Sequence, residues 1–186
     1  MKRYLLSVIL FFCLQHTICA QSAYWITADH INRDVPNTWI EFRKQITLTD
    51  KPKTVYAQIA ADTKYWLWVN ESLVVFEGGL KRGPTPHDTY YDVVNLAPYL
   101  AEGKNEVRVL LWHFGKPGFS HVNSGKSGFV LQAPTIDLYT DHTWQSQRLD
   151  CYQTADNPLP NWRLGSLIFG TMLVWSNRLI GKNHWR

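Results

Sequence analysis

The run Tyr65-Trp66-Leu67-Trp68-Val69-Asn70 is followed by the polar pair Glu71-Ser72 and then by Leu73-Val74-Val75-Phe76. Two short runs rich in aromatic and β-branched residues around a tight polar corner predict a β-hairpin. The first strand is apolar on both faces, with Tyr65, Leu67 and Val69 on one and Trp66 and Trp68 on the other. Such a strand is either covered on both sides or presents one side to a ligand. The tryptophans are therefore either core or a platform for a flat ligand.

Outward from the hairpin the pattern stays β. Ile40, Phe42, Ile46 and Leu48 alternate with Glu41, Arg43 and Thr47, with Lys44 interrupting the apolar face. That is a half-buried strand, and Asp50-Lys51-Pro52 is its turn. Val55, Ala57 and Ile59 alternate with Tyr56 and Gln58. Thr89 to Val93 reads as a strand, Leu96 to Ala101 as a short helical turn, and Glu106 to Phe114 as a long strand. Gly128 to Gln132 and Thr135 to Tyr139 read as shorter strands parted by Pro134. Many short strands without a long amphipathic helix predict an all-β fold, an antiparallel β-sandwich or jelly roll.

The ends differ from this body. Met1-Lys2-Arg3 is a positive start, Tyr4 to Leu14 is apolar, and Ile18-Cys19-Ala20 supplies a small residue before a cut. Residues 1–20 thus read as a signal peptide, with an uncleaved anchor as the alternative. The expectation is an exported chain, periplasmic or extracellular, with no membrane contact in its mature form. Removing the signal takes Cys13 and Cys19 and leaves Cys151 alone, so neither an internal disulfide nor a cysteine metal site is expected. Between Gln21 and Trp162 stand 13 basic and 15 acidic residues, a net of −2, which removes the basic stripe that nucleic-acid binding needs.

Residues 21–156 form the expected sandwich domain, and residues 157–186 a linker and an atypical tail. Asn157-Pro158-Leu159-Pro160-Asn161-Trp162 is linker-like. Leu164 to Asn177 is mostly apolar, too short to span a bilayer, and without a clean helical period. Alone it is a sticky surface.

No motif supplies a complete active site. Gly125-Lys126-Ser127 is not a phosphate loop, because position 120 is Ser and a strand follows. His30, His87, His113, His121 and His142 lack metal-ligand spacing, so no metal and no cofactor is expected. Ser120-His121 is not a triad, and no Gly-x-Ser-x-Gly elbow is present. A carboxylate pair is a spatial feature that sequence does not reveal. Asn70-Glu71-Ser72 matches a glycosylation sequon but reads as the hairpin corner.

Two segments are too long for simple turns: Glu77 to Asp88 and Gly115 to Ser127. Loops of that length in a small domain are often functional, although solvated crossovers are the plain alternative. Sugar rings stack their C–H faces on aromatics, and their hydroxyls bond to amides, carboxylates and guanidinium groups. Lys81, Arg82, Asp88, Tyr90, Trp112, Phe119, His121, Asn123 and Lys126 offer both kinds of group around these loops and form the candidate carbohydrate-binding set. Arg82 and Lys126 would donate, Asp88 would accept, and Trp112 or Phe119 would stack. Aromatic stripes in sandwiches are mostly core, so Trp66 and Trp68 are given mainly to packing.

In order along the chain, Trp39 to Lys44, Tyr65 to Asn70, Lys81-Arg82-Gly83-Pro84, Asp88 to Asp92 and Gly103-Lys104-Asn105 carry a family resemblance. The chain from about Tyr24 to Trp162 resembles the N-terminal accessory β-sandwich of bacterial α-L-rhamnosidases, glycoside hydrolase family 78. The Tyr-x-Leu-x-Val-Asn pattern is similar to that of sugar-binding, galactose-binding-like sandwiches in other glycosidases. Glu71 stands where those have glycine, which puts the form of the corner in doubt. The resemblance implies a module that is not catalytic alone, because the catalytic carboxylates of such enzymes lie in a separate (α/α) barrel. It implies a fragment whose partners are that barrel and rhamnose-containing plant or pectic glycans. The acid-free tail after Arg163 fits a disrupted reading frame. The alternatives are a purely structural interdomain module, or part of an intact small glycosidase.

Overall fold

The computed structural model describes residues 22–28, 35–80, 89–117 and 122–152. Nine strands follow one another there: β1 (Thr38–Leu48), β2 (Tyr56–Asp62), β3 (Lys64–Val69), β4 (Ser72–Gly79), β5 (Asp92–Asn95), β6 (Gly103–His113), β7 (Gly128–Ala133), β8 (Leu138–Tyr139) and β9 (Gln145–Arg148). They form two antiparallel sheets, ordered β4-β3-β6-β1-β9 and β5-β2-β7-β8. The all-β antiparallel sandwich expected from the sequence is the observed fold.

Period-two alternation makes the core. In the first sheet Tyr65, Leu111 and Ile40 share one row across β3, β6 and β1, and Leu67, Val109 and Phe42 share the next. All six are fully buried against Ile59, Phe129 and Leu131 of the second sheet. Phe42 meets Phe129 at 4.6 Å between ring centroids, and Phe129 in turn packs edge-on against Trp144. Burying side chains of this size contributes roughly 1.5–3 kcal/mol each before the entropy of ordering them is counted.

The hairpin forms at Asn70 and Glu71, both with positive φ (54° and 74°), as the sole residues between β3 and β4. This is the primed two-residue turn that matches strand twist, and its second position favours glycine. The corner keeps its length despite Glu71. Asn70 anchors it: its amide donates to Tyr99 O (2.9 Å) and Asn105 Oδ1 (2.8 Å), and its Oδ1 accepts from Glu106 N (2.9 Å). Asn105, almost fully buried, also accepts from Ala101 N and donates to Ala101 O and Gly103 O. These bonds staple one end of the sandwich.

Three local readings differ. The strand expected over Thr89 to Val93 starts at Asp92, whose carboxylate is pinned by donors from β3 and β4. The strand expected from Thr135 is instead a 3-10 turn over Pro134–Ile136, ended by Asp137 at φ 52°, which leaves β8 only two residues. Proline's fixed φ favours such a turn start over a strand. Glu41, read as facing solvent, is only 3 % exposed, because the outer face of its sheet is itself covered by aromatic rings.

Candidate functional site

The end of the sandwich opposite the Asn70 staple is where both long loops leave. β4 runs into residues 80–91 and β6 into residues 114–127, beside the Thr63 link between β2 and β3. Thr63 ties them together: its N–H donates to Trp112 O (3.2 Å), its carbonyl accepts from Leu80 N (3.0 Å), and its Oγ1 accepts from Phe114 N (3.2 Å). The Asp62–Thr63 peptide is cis.

Asp62 braces the second loop. Its Oδ1 accepts from Thr63 Oγ1 (3.0 Å) and His113 Nδ1 (3.2 Å), and its Oδ2 accepts from Ser124 N (3.0 Å). Burial alone would push this carboxyl up, but hydrogen bonds from His113 and Ser124 outweigh it and hold it below the ordinary value. His113 Nδ1 also faces Asp62 O at 3.1 Å, so both its partners are acceptors and Nδ1 carries the proton. In the neutral ring Nε2 is then an acceptor, and it is buried with no hydrogen-bond partner among the described residues, as is Asn123 Oδ1.

Asp92 braces the first loop. Its Oδ2 accepts from Tyr65 Oη (2.9 Å) and Gly79 N (3.0 Å), which joins the last residue of β4 to the first of β5 across the loop. Burial, and then the Asp92 charge, push the Tyr65 phenol well above its ordinary range. A Cβ at Gly78 would stand 2.3 Å from Tyr65 Cζ, so only glycine lets β4 cross that ring. Asp62 and Asp92 are thus engaged in holding the scaffold.

The structure distributes the sequence-predicted residues as follows. Lys81, Arg82, Asp88, Phe119 and His121 lie outside the described residues. Tyr90 is 56 % exposed at the end of the first loop, beside the equally open Tyr91. Asn123 and Lys126 flank the Ser124 brace, where Ser124 Oγ bonds to both Lys126 N and Lys126 O at 3.2 Å around Gly125. Lys126 is exposed. These three therefore border one rim. Trp112 does not: it is 8 % exposed on the outer face of the first sheet. His113, Asp62 and Asp92 were missed by sequence reasoning, because they meet their distant partners only across the gap between the two sheets or in a loop.

The outer face of that first sheet is a second apolar layer. Strand register sets Trp39 opposite Trp112 and Trp66 opposite Leu110. Trp39 stacks on Trp112 (4.7 Å between centroids), Tyr152 (4.0 Å) and Trp66 (5.7 Å). Asn37 Oδ1 accepts from the indole N–H of both Trp39 and Trp112. The Arg108 guanidinium lies 5.7 Å from the Trp68 ring, and Phe76 meets Trp66 edge-on. Within this layer Glu41 Oε1 accepts from Arg43 Nε (3.1 Å), while Glu41 Oε2 is buried with no partner among the described residues. Burial pushes the Glu41 carboxyl up, against the lowering effect of Arg43. Trp66 and Trp68, given to packing from the sequence, are only half-buried.

No protein-family model and no curated protein matches the chain. Among solved structures it is similar to a family GH78 rhamnosidase of Bacillus sp. GL1, with 24 % identity and a TM-score of 0.62 over 74 % of this chain. It is also similar to α-L-rhamnosidases from Aspergillus terreus (17 % identity, TM-score 0.51, 69 % of this chain) and Dictyoglumus thermophilum (19 %, 0.50, 67 %). The chain spans only 14 to 17 % of the length of these three proteins. At such identities the likeness establishes a shared β-sandwich.

Proposed function

We propose that this chain is a non-catalytic, carbohydrate-binding accessory module of an exported α-L-rhamnosidase-like glycoside hydrolase. Its ligands are rhamnose-containing glycans, and its site is the rim that carries residues 80–91 and 114–127. The observation that carries this reading is the shared origin of both loops: Thr63, Asp62 and Asp92 fix their bases to one end of a rigid sandwich. Rigid scaffolds with functional loops are how such folds build sites. Tyr90 offers an exposed ring face and Lys126 an exposed cation, two of the groups a polyhydroxylated ring needs, while Asn123, with its Oδ1 buried, shapes the loop between them and the strands. Lys81, Arg82, Asp88, Phe119 and His121 belong to the same two loops by sequence. The Trp112 ring, stacked against Trp39, is left to packing. The likeness to segments of rhamnosidases supports the enzyme class.

Calorimetry with rhamnosides and pectic oligosaccharides tests the proposal. Weak binding at millimolar ligand, reduced in Tyr90→Ala and Lys126→Ala, is expected. A folded sample that ignores every glycan, together with aryl-rhamnoside turnover abolished by a single Asp or Glu change, would overturn it.

A further inference from the structure

The aromatic face of the five-stranded sheet requires a cover. Trp66 touches Phe76, which is 71 % exposed, and Trp68 stands opposite Leu73, which is 45 % exposed. Together with the half-buried Trp66 and Trp68, Phe76 and Leu73 form one contiguous apolar patch, the kind of surface that marks an interaction site. Beneath it lies Glu41 Oε2, a buried acceptor with no donor among the described residues.

We propose that the chain's own C-terminal segment, centred on the apolar run Leu164 to Asn177, docks on this face. Continuity points there: Tyr152, the last described residue, already stacks on Trp39 at the middle of the layer. From Tyr152 the 11 residues 153–163 can reach about 37 Å when extended, whereas five strands are only about 19 Å wide. The 14 residues that follow span about 21 Å even at helical rise, enough to cross the sheet. The chemistry is complementary as well. The segment from Arg163 onward has no acid, four Lys and Arg residues and a mostly apolar centre, opposite a face of indoles in which one carboxylate oxygen has no hydrogen-bond partner among the described residues. This inference does not depend on glycan binding at the rim. It also opposes the disrupted-frame reading, since residues from a foreign frame have no reason to suit this face.

Hydroxyl-radical footprinting of the full chain reads Trp66, Trp68 and Phe76 directly. The double substitution Leu167→Asp and Ile168→Asp leaves every described residue intact. It should raise oxidation of Trp66 and Trp68 about fivefold or more, as the open population grows. In the reciprocal test, Trp66→Ser should speed tryptic cleavage at Arg163 and Arg178 by about tenfold. Amide exchange of Val107 and Val109 checks that this variant keeps its sandwich, and if it does not, the tail variant alone decides. Unchanged oxidation in the tail variant overturns the proposal. So does slow oxidation that tracks a dimer in sedimentation, because a second copy would then be the cover.

Discussion

Replacing Glu71 by glycine should stabilise the protein. Glu71 sits at φ 74° in the two-residue corner between β3 and β4. A non-glycine residue in the left-handed region costs about 1–2 kcal/mol, and Glu lacks the short side chain by which Asn or Asp offsets this. Among the described residues its carboxylate makes no hydrogen bond or ion pair, and the side chain is exposed, so its loss removes little. Glycine adds back about 0.5–1 kcal/mol of unfolded-state entropy. The net gain is about 0.5–1 kcal/mol, or about 1–4 °C in Tm for a chain of this size. Urea denaturation of Glu71→Gly should show a higher midpoint with an unchanged slope. Glu71→Ala is the control: it removes the carboxylate but keeps the Cβ, so it should gain nothing. If both variants behave alike, backbone strain at this corner is not what Glu71 contributes, and the reasoning fails.

Other consequences are as direct. Asn105→Ala strips four hydrogen bonds from a buried knot and should cost about 3 kcal/mol in the same denaturation assay. Gly78→Ala drives a methyl group into the fully buried Tyr65 ring and should cost about 1–3 kcal/mol, with β4 amides losing exchange protection first. Asp62 is held below its ordinary value of 3.8 in the fold, so the unfolded chain binds its proton first as pH falls. Its contribution is complete above that value and is lost as pH drops through the folded value. Asp62→Asn should therefore flatten the acid limb of a stability–pH curve, and an unchanged limb would contradict the Asp62–His113–Ser124 brace.

Local pattern carried the architecture. The alternation in Tyr65 to Val69 identified a strand apolar on both faces, and its Tyr65, Leu67 and Val69 face is the core. The corner at Asn70 was legible because so few residues tolerate positive φ. The fate of the tryptophans was not. Trp39 and Trp112 are 73 positions apart, and only the β1–β6 register brings them face to face, which also buries Glu41 on what looked like a polar face. The two loops stood out by length and composition, but their common rim depends on Thr63, Asp62 and Asp92. Those residues carry no motif and meet their partners across 13 to 62 positions. The strand expected over Thr135 to Tyr139 keeps only its last two residues, because Pro134 opens a 3-10 turn that the left-handed Asp137 ends.

The most direct test follows backbone amide shifts by NMR while a rhamnose-containing oligosaccharide is titrated into the folded protein. The account predicts saturable shifts around Tyr90 and from Asn123 to Lys126, with the strands beneath unmoved. Shifts confined to the Trp39 face, or none at all at millimolar sugar, would contradict it.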